Sequence, residues 1–352
     1  MPERLDVTAV ELAMLGTPGR PRRCHRSRAA RPHPCDEHGN RSEPHPEPSG
    51  PAALACQPGS GSGSTASLAA VIDLHTHSTV SDGSDPPERI PELAAAAGCS
   101  AVALTDHDSL AGLPAARRRA AELGLTLVPG CEISCLGPAS GGMHVLVYFA
   151  EDDGSPVSAE LARLRDDRRA RNERLVARLH ELGVPIAFDD VVAEAGGTEG
   201  VGRPHFAAVL VRMGTADSID DAFARYLGAG TPGYVPKARL EGPEVARLAA
   251  ASGGVAVLAH PLSLGLEPPA LEATVAELAE AGFVGLEALY GRYRPEERRA
   301  LADLARRHGL VATGGSDHHG ASKPDLTVGT GRGDLRVPDR VLEDLHARRP
   351  AT

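Results

Sequence analysis

From Val71 onward, short apolar runs alternate with helix-length stretches, and nearly every run gives way to a histidine or a carboxylate. Val71 to Leu74, Ala101 to Thr105, Leu125 to Pro129 and His144 to Phe149 read as short buried strands. Between the first three lie the helical patterns PPERIPELAAAAG and SLAGLPAARRRAAELG. Strands alternating with helices of this length imply a mostly parallel sheet. The rhythm returns late, in GGVAVLAHP, FVGLEAL and LVATGGSDHH. An α/β barrel or an open sheet is therefore expected, and either gathers its active site where strand ends meet polar residues.

Two segments break the rhythm. Residues 1–69 place six arginines without an acid between Arg20 and Arg31, then a Pro/His/Glu-rich stretch, then GSGSGST. Such composition cannot bury enough surface to offset its ordering entropy, so a disordered leader is expected. Residues 156–235 carry a long charged helix over Ala159 to Leu182, followed by short helices and loops. This stretch reads as a helical insertion capping the site, between body segments 70–155 and 236–345. The basic residues of RDDRRARNERLVAR are expected on a solvated helix face, with a substrate-facing patch as the alternative.

The net charge of -10 argues against a general nucleic-acid coat, which needs Lys and Arg on the contacting face. No apolar run approaches the roughly 20 residues needed to span a bilayer, and the first 30 residues lack the order of a signal peptide. A cytoplasmic protein with no obligate protein partner is expected. The 6 cysteines show no CxxC spacing and read as reduced small hydrophobes.

The polar residues at the proposed strand ends are His75, His77 and Asp82, then Asp106, His107 and Asp108. Glu132, His144, His205, His260, Asp317, His318 and His319 follow along the chain. Packing gains little from placing ionisable groups together, whereas imidazole and carboxylate without thiolate suit a Mn, Zn or Fe site. The candidates outnumber the ligands of one ion, so two or three ions sharing a bridging carboxylate are expected. Neighbouring ions lower the pKa of a water between them and neutralise charge on phosphate oxygens, which makes a phosphate ester the natural substrate. Neither a GxxxxGK[ST] loop nor a GxGxxG turn is present.

Taken together, HTHSTVSDG, TDHD, GCEIS, GMH, GRPH, AHP and GSDHH resemble the motifs of the PHP (polymerase and histidinol phosphatase) family, over about 72–335. The RNE-containing helix, GRPHFA, FARYLGAG and GYVPK resemble its branch of nucleoside 3',5'-bisphosphate phosphatases and RNase AM-type 5'-to-3' exoribonucleases. The resemblance implies a distorted (β/α)7 barrel binding up to three divalent ions, Mn2+ or alternatively Zn2+ or Fe2+. By motif, the first ion would take His75, His77, Glu132 and Asp317. Glu132 would bridge to a second, completed by His144 and His205, while Asp82, His107 and His319 would hold a third. His318 is expected not to be a ligand.

The same resemblance gives Arg203 a contact with the substrate phosphate, and His260 a contact with phosphate or the leaving oxygen. Asp106 and Asp108 would orient ligand imidazoles or cap the next helix, and Lys237 and Arg239 would meet a second phosphate or solvent. The implied activity is removal of the 3'-phosphate from a nucleoside 3',5'-bisphosphate, 5'-to-3' trimming of short RNA or DNA, or both. Histidinol-phosphate phosphatase activity and a non-catalytic phospho-ligand or nucleic-acid binding module are the alternatives.

Overall fold

The computed structural model describes residues 71–138, 141–197 and 201–351. The expected leader, 1–69, lies outside the described residues. The strands are β1 (Val71–Asp73), β2 (Cys99–Leu104), β3 (Thr126–Leu136), β4 (Gly142–Tyr148), β5 (Leu240–Glu241), β6 (Val255–Leu258), β7 (Gly285–Tyr290), β8 (Val311–Gly315) and β9 (Val337–Pro338). The helices are α1 (Arg89–Ala96), α2 (Leu113–Leu123), α3 (Pro156–Glu181), α4 (Phe188–Ala195), α5 (Arg203–Arg212), α6 (Ile219–Ala222), α7 (Gly242–Ala251), α8 (Pro268–Glu280), α9 (Pro295–Arg307) and α10 (Arg340–Ala347).

The sheet runs β8-β7-β6-β4-β3-β2-β1, with β9 beside β1 and β5 beside β3. Its two ends meet: Leu74 N–H donates to Gly314 O at 3.2 Å and Asp317 N–H to His75 O at 2.8 Å. The result is a distorted α/β barrel. Distortion enters at β4, which is antiparallel to both β3 and β6, whereas β1–β2, β2–β3, β6–β7 and β7–β8 are parallel. Gly315 is required at the closing seam, because a Cβ there would lie 2.4 Å from His75 N.

Strand side chains alternate between two layers, as the pleat dictates. Val145 and Val147 of β4 face the helices, packing with Ile90, Leu113, Val245 and Leu301, while Leu146 and Tyr148 point into the barrel with Ile72, Leu74 and Val257. Tyr148 fills the interior and satisfies its hydroxyl by donating to Leu74 O at 2.9 Å. Antiparallel pairing of β9 with the start of β1 brings Val341 and Leu345 of α10 under this inner core, at the end opposite His75.

One strand expectation needs correction. The third strand does not stop at Pro129 but continues to Leu136, paired along its outer half with β4, so Glu132 lies within a strand. Antiparallel pairing with β4 supplies backbone partners past the point where parallel pairing to β2 ends at Pro129.

Between β4 and β5 the chain is helical, with α3, α4, α5, α6 and a π-helical turn over Phe223–Leu227. Leu175 and Leu179 of α3 join Val191, Phe206, Leu210 and Leu227 in a core of their own. Within the buried stripe of α3, however, Arg171 and Asn172 interrupt the run from Leu161 and Leu164 to Leu175 and Leu179. No described helix is long and apolar enough to cross a membrane.

Candidate metal centre

His75 and His77 leave β1 on one face, because side chains two apart in extended chain point the same way. The backbone between them is pinned on both sides: His77 N–H donates to His318 O at 2.9 Å, and Thr105 N–H to Thr76 O at 3.0 Å. Three non-glycine residues here adopt positive φ: Asp108 (50°), His260 (24°) and Asp317 (56°). Such conformations cost about 1–3 kcal/mol each and persist where surrounding structure imposes them.

Glu132 is the hub. Its Oε2 lies 3.2 Å from His75 Nε2, 3.1 Å from His77 Nε2 and 3.2 Å from His107 Nδ1. The other oxygen, Oε1, lies 2.9 Å from both His144 Nδ1 and His260 Nε2. Asp317 Oδ1 approaches His75 Nε2 at 3.5 Å, His77 Nε2 at 3.4 Å and His319 Nδ1 at 3.4 Å. Asp82 reaches His319 at 3.1 Å and His107 at 3.7 Å. The expected ligands other than His205 thus form one ring.

These residues fit divalent metal. Their donor atoms converge as His77/Asp82/His107/His319, His75/His77/Glu132 and His107/Glu132/His144. These groups overlap the expected division among three ions, but His77 also enters the group expected for the third, Asp317 is absent from that expected for the first, and His107 stands beside His144 in place of His205. The Nε2 atoms of His75 and His77 face each other at 3.1 Å, an approach that two lone pairs make only around a shared proton or cation. His107 Nδ1 and His319 Nε2 are buried with a carboxylate oxygen 3.2 and 3.1 Å away but no aligned hydrogen bond among the described residues, a placement that suits nitrogen and oxygen sharing a cation.

The electrostatics agree with a cation-seeking site. Burial opposes ionisation of Glu132, but His107, His75 and His144 outweigh it and hold the carboxyl well below its usual range. For His77, burial is outweighed by the carboxylates of Asp317 and Glu132, which lift the ring to about 9. In His107 burial wins over the pull of Glu132 and pushes the ring down to about 3.

Several expected roles fall elsewhere. His205 does not join the ring; its Nδ1 accepts from Gly202 N–H at 3.1 Å at the start of α5. Arg203 donates to Leu227 O at 3.1 Å and stacks its guanidinium 5.4 Å from the Tyr234 ring centroid. Among the described residues neither Asp106 nor Asp108 bonds an imidazole directly or caps α2, whose N-cap Gly112 has no side-chain bond. Asp106 instead accepts from Ser78 N–H and Oγ, each at 2.7 Å, fixing the loop after His77. Asp108 accepts from Ser134 N–H at 2.9 Å and takes both Arg168 (2.5 Å) and Lys237 (2.9 Å). His318, as expected, is turned away: it bridges Leu326 O at 2.8 Å and Asp85 Oδ2 at 2.9 Å.

The solvated-face expectation for α3 holds only in part. Arg169 and Arg178 are exposed, paired with Glu173 and Glu181. Arg168 and Arg171 lie on the same stripe as Leu164 and Leu175 and are carried inward with it.

Three functional neighbours escape a reading built on strand ends. Glu287, in the middle of β7, bonds His75 Nδ1 at 2.8 Å and accepts from His260 N–H at 2.7 Å. Tyr290 and Lys323 each donate to Asp317 Oδ2 at 2.7 Å. The glutamate inside the apolar run FVGLEAL is the one signal that marks Glu287 in the sequence; an isolated buried acid needs a partner.

A PHP-domain model matches residues 73–182. The 5'-3' exoribonuclease Rnm of Salmonella typhimurium is 36% identical over 259 residues, 73% of this chain and 87% of its own length. A 3',5'-nucleoside bisphosphate phosphatase of Chromobacterium violaceum is 32% identical over 285 residues, 80% of this chain and 99% of its own. Among solved structures, a candidate metal-dependent phosphoesterase from Bifidobacterium adolescentis superposes with a TM-score of 0.63 at 33% identity, covering 80% of this chain and 96% of that one.

Proposed function

The chain belongs to the PHP family of metal-dependent phosphoesterases, related to its nucleoside bisphosphate phosphatase and exoribonuclease branch, and from that membership we propose a substrate and a reaction. The protein hydrolyses the 3'-phosphate of nucleoside 3',5'-bisphosphates, trims short RNA or DNA from the 5' end, or does both. The observation that carries this reading is Glu132, whose two oxygens face separate groups of imidazoles and so suit it to join two ions.

The proposed ligands are His75, His77, Asp82, His107, Glu132, His144, Asp317 and His319, with Mn2+ first among candidate ions. His205 stays in the set by its motif alone, and its ring would have to leave Gly202 N–H to join. Ions held there supply a nucleophile from water at neutral pH and neutralise the phosphate charge. Glu287 fixes the ring of His75, and Tyr290 with Lys323 fixes Asp317. His260, braced by Ser263 Oγ at 2.9 Å, directs Nε2 at Glu132 and is placed to give a proton to the leaving oxygen. Arg203 brings a planar fork that suits phosphate oxygens.

Phosphate release from adenosine 3',5'-bisphosphate by Mn-loaded protein, beside histidinol phosphate and a 5'-phosphorylated RNA oligomer, tests the reading. Release from the bisphosphate, or mononucleotides from RNA, is expected, and chelation should abolish it. Turnover of histidinol phosphate alone would overturn the substrate assignment, and metal-loaded protein silent on all three would leave a binding module.

A further inference from the structure

Between the loops that follow β1 and β2 runs a chain of contacts that the ring itself does not use. Asp106 is 1% exposed and immediately precedes His107, and a buried acid needs partners. Its Oδ1 accepts from Ser78 N–H at 2.7 Å and from Ser81 Oγ at 2.8 Å, and its Oδ2 from Ser78 Oγ at 2.7 Å. The two bonds from Ser78 already fix the start of the loop. Ser81 is a further donor, half-buried in the wall of the pocket that Asp82 and His107 also line.

A hydroxyl has one proton to give. Ser81 gives it to Asp106, which is nearer at 2.8 Å than Asp82 Oδ1 at 3.3 Å. Toward His77 the same oxygen can then only accept, and His77 Nδ1 stands 3.4 Å from it. The proton on that line belongs to Nδ1, and since a neutral imidazole carries one N–H, Nε2 keeps its lone pair. Nε2 is the nitrogen that faces the ring: it lies 3.1 Å from Glu132 Oε2, 3.1 Å from His75 Nε2 and 3.4 Å from Asp317 Oδ1. Asp82 Oδ1 stands 3.8 Å from Nδ1, too far to hold it. His75 shows the same arrangement made in one step, with Glu287 on Nδ1 at 2.8 Å and Nε2 turned to Glu132.

We propose that Ser81 is a positioning residue of the metal centre, which relays Asp106 to His77 and so fixes the tautomer and tilt of that ring with Nε2 toward the ion. The inference rests on the metal-centre reading above and deepens it. Ser81 of TVSDG and the first aspartate of TDHD thereby act as one unit, although neither is a ligand. Partners on the second nitrogen of a metal-binding histidine are worth about 10–100-fold in metal affinity. The contact at 3.4 Å is longer than that of Glu287 and carries no charge of its own, so its effect belongs at the low end of that range.

The test loads wild type, Ser81→Ala and Ser81→Thr with Co2+ and reads ion retention against graded chelator together with the visible absorption of the bound cobalt. Ser81→Ala should weaken retention by about tenfold and shift the absorption, and Ser81→Thr, which keeps the hydroxyl, should bring both back toward wild type. Wild-type retention and absorption in Ser81→Ala overturn the relay. Equal losses in the two variants, or a strongly lowered melting temperature in Ser81→Ala, would make the residue a packing element of the loop and overturn it as well. Turnover supplies a separate arm. Half-maximal phosphate release should need about tenfold more Mn2+ in Ser81→Ala, with the KM for adenosine 3',5'-bisphosphate unchanged at saturating Mn2+. A raised KM with unchanged ion retention would make Ser81 a substrate contact and overturn the relay. If the wild type cleaves no phosphate ester yet Ser81→Ala loses its ion as expected, the phosphoesterase reading falls and the relay stands; a wild type that retains no ion overturns both.

Discussion

Glu287 bonds the Nδ1 of His75 at 2.8 Å with one oxygen and accepts the backbone N–H of His260 at 2.7 Å with the other, both carboxylate and ring fully buried. One side chain therefore sets the tautomer and tilt of a proposed ligand and the strained backbone of a proposed proton donor. Metal-binding histidines commonly hold their second nitrogen in this way, and such partners are worth about 10–100-fold in metal affinity.

Glu287→Gln should weaken metal retention by that factor. An amide has one accepting oxygen, so whichever way it turns, either His75 or His260 loses its partner. Metal content after dialysis against graded chelator reads the change. Retention equal to wild type would show that Glu287 is a buried acid without influence on the ring.

Glu132→Gln should lower phosphate release by about 10³-fold or more, with at least one fewer ion per chain. Folding should be far less disturbed, because the inner core of Ile72, Leu74, Leu146 and Tyr148 does not depend on the carboxylate. Near-normal turnover by folded variant protein would remove Glu132 from its bridging role.

His318→Phe should leave metal content unchanged while lowering stability by about 1–3 kcal/mol, since Leu326 O and Asp85 both lose their partner. Elemental analysis alongside urea unfolding separates the two effects. Loss of an ion would return His318 to the ligand set.

Cys99 should be inert in the folded protein. Burial, with Asp73 nearby, pushes its thiol from 9.0 up to about 12. A thiol reacts as its thiolate, so a raised pKa slows alkylation, by about a thousandfold for a rise of three at any pH below the ordinary value. Site-resolved mass spectrometry after alkylation at pH 8.5, native and in urea, checks this; the rate should climb with pH and jump on unfolding. Rapid native labelling of Cys99 would contradict its enclosure.

The α/β character, the helical stretch between two halves of the body and nearly all residues of the ring were legible in the chain itself. Apolar runs of strand length ending in His, Asp or Glu carry their meaning locally: the run must be buried, and the polar residue after it must emerge at an edge. Closure and partners were not legible. That β4 runs antiparallel and prolongs β3 past Pro129 depends on a hairpin whose pairing lies between strands. That Arg168 and Arg171 turn inward while Arg169 stays in water depends on which stripe of α3 the rest of the molecule covers. The sequence by itself determined the class of fold and the chemistry of its polar residues, because periodicity and side-chain type are local properties. Only the tertiary structure decided that Glu287 reaches His75 across 212 residues of chain, that His205 faces its own helix and that Arg171 is buried with no carboxylate partner among the described residues. Partnership of that kind is a matter of distance in space, which residue order does not encode.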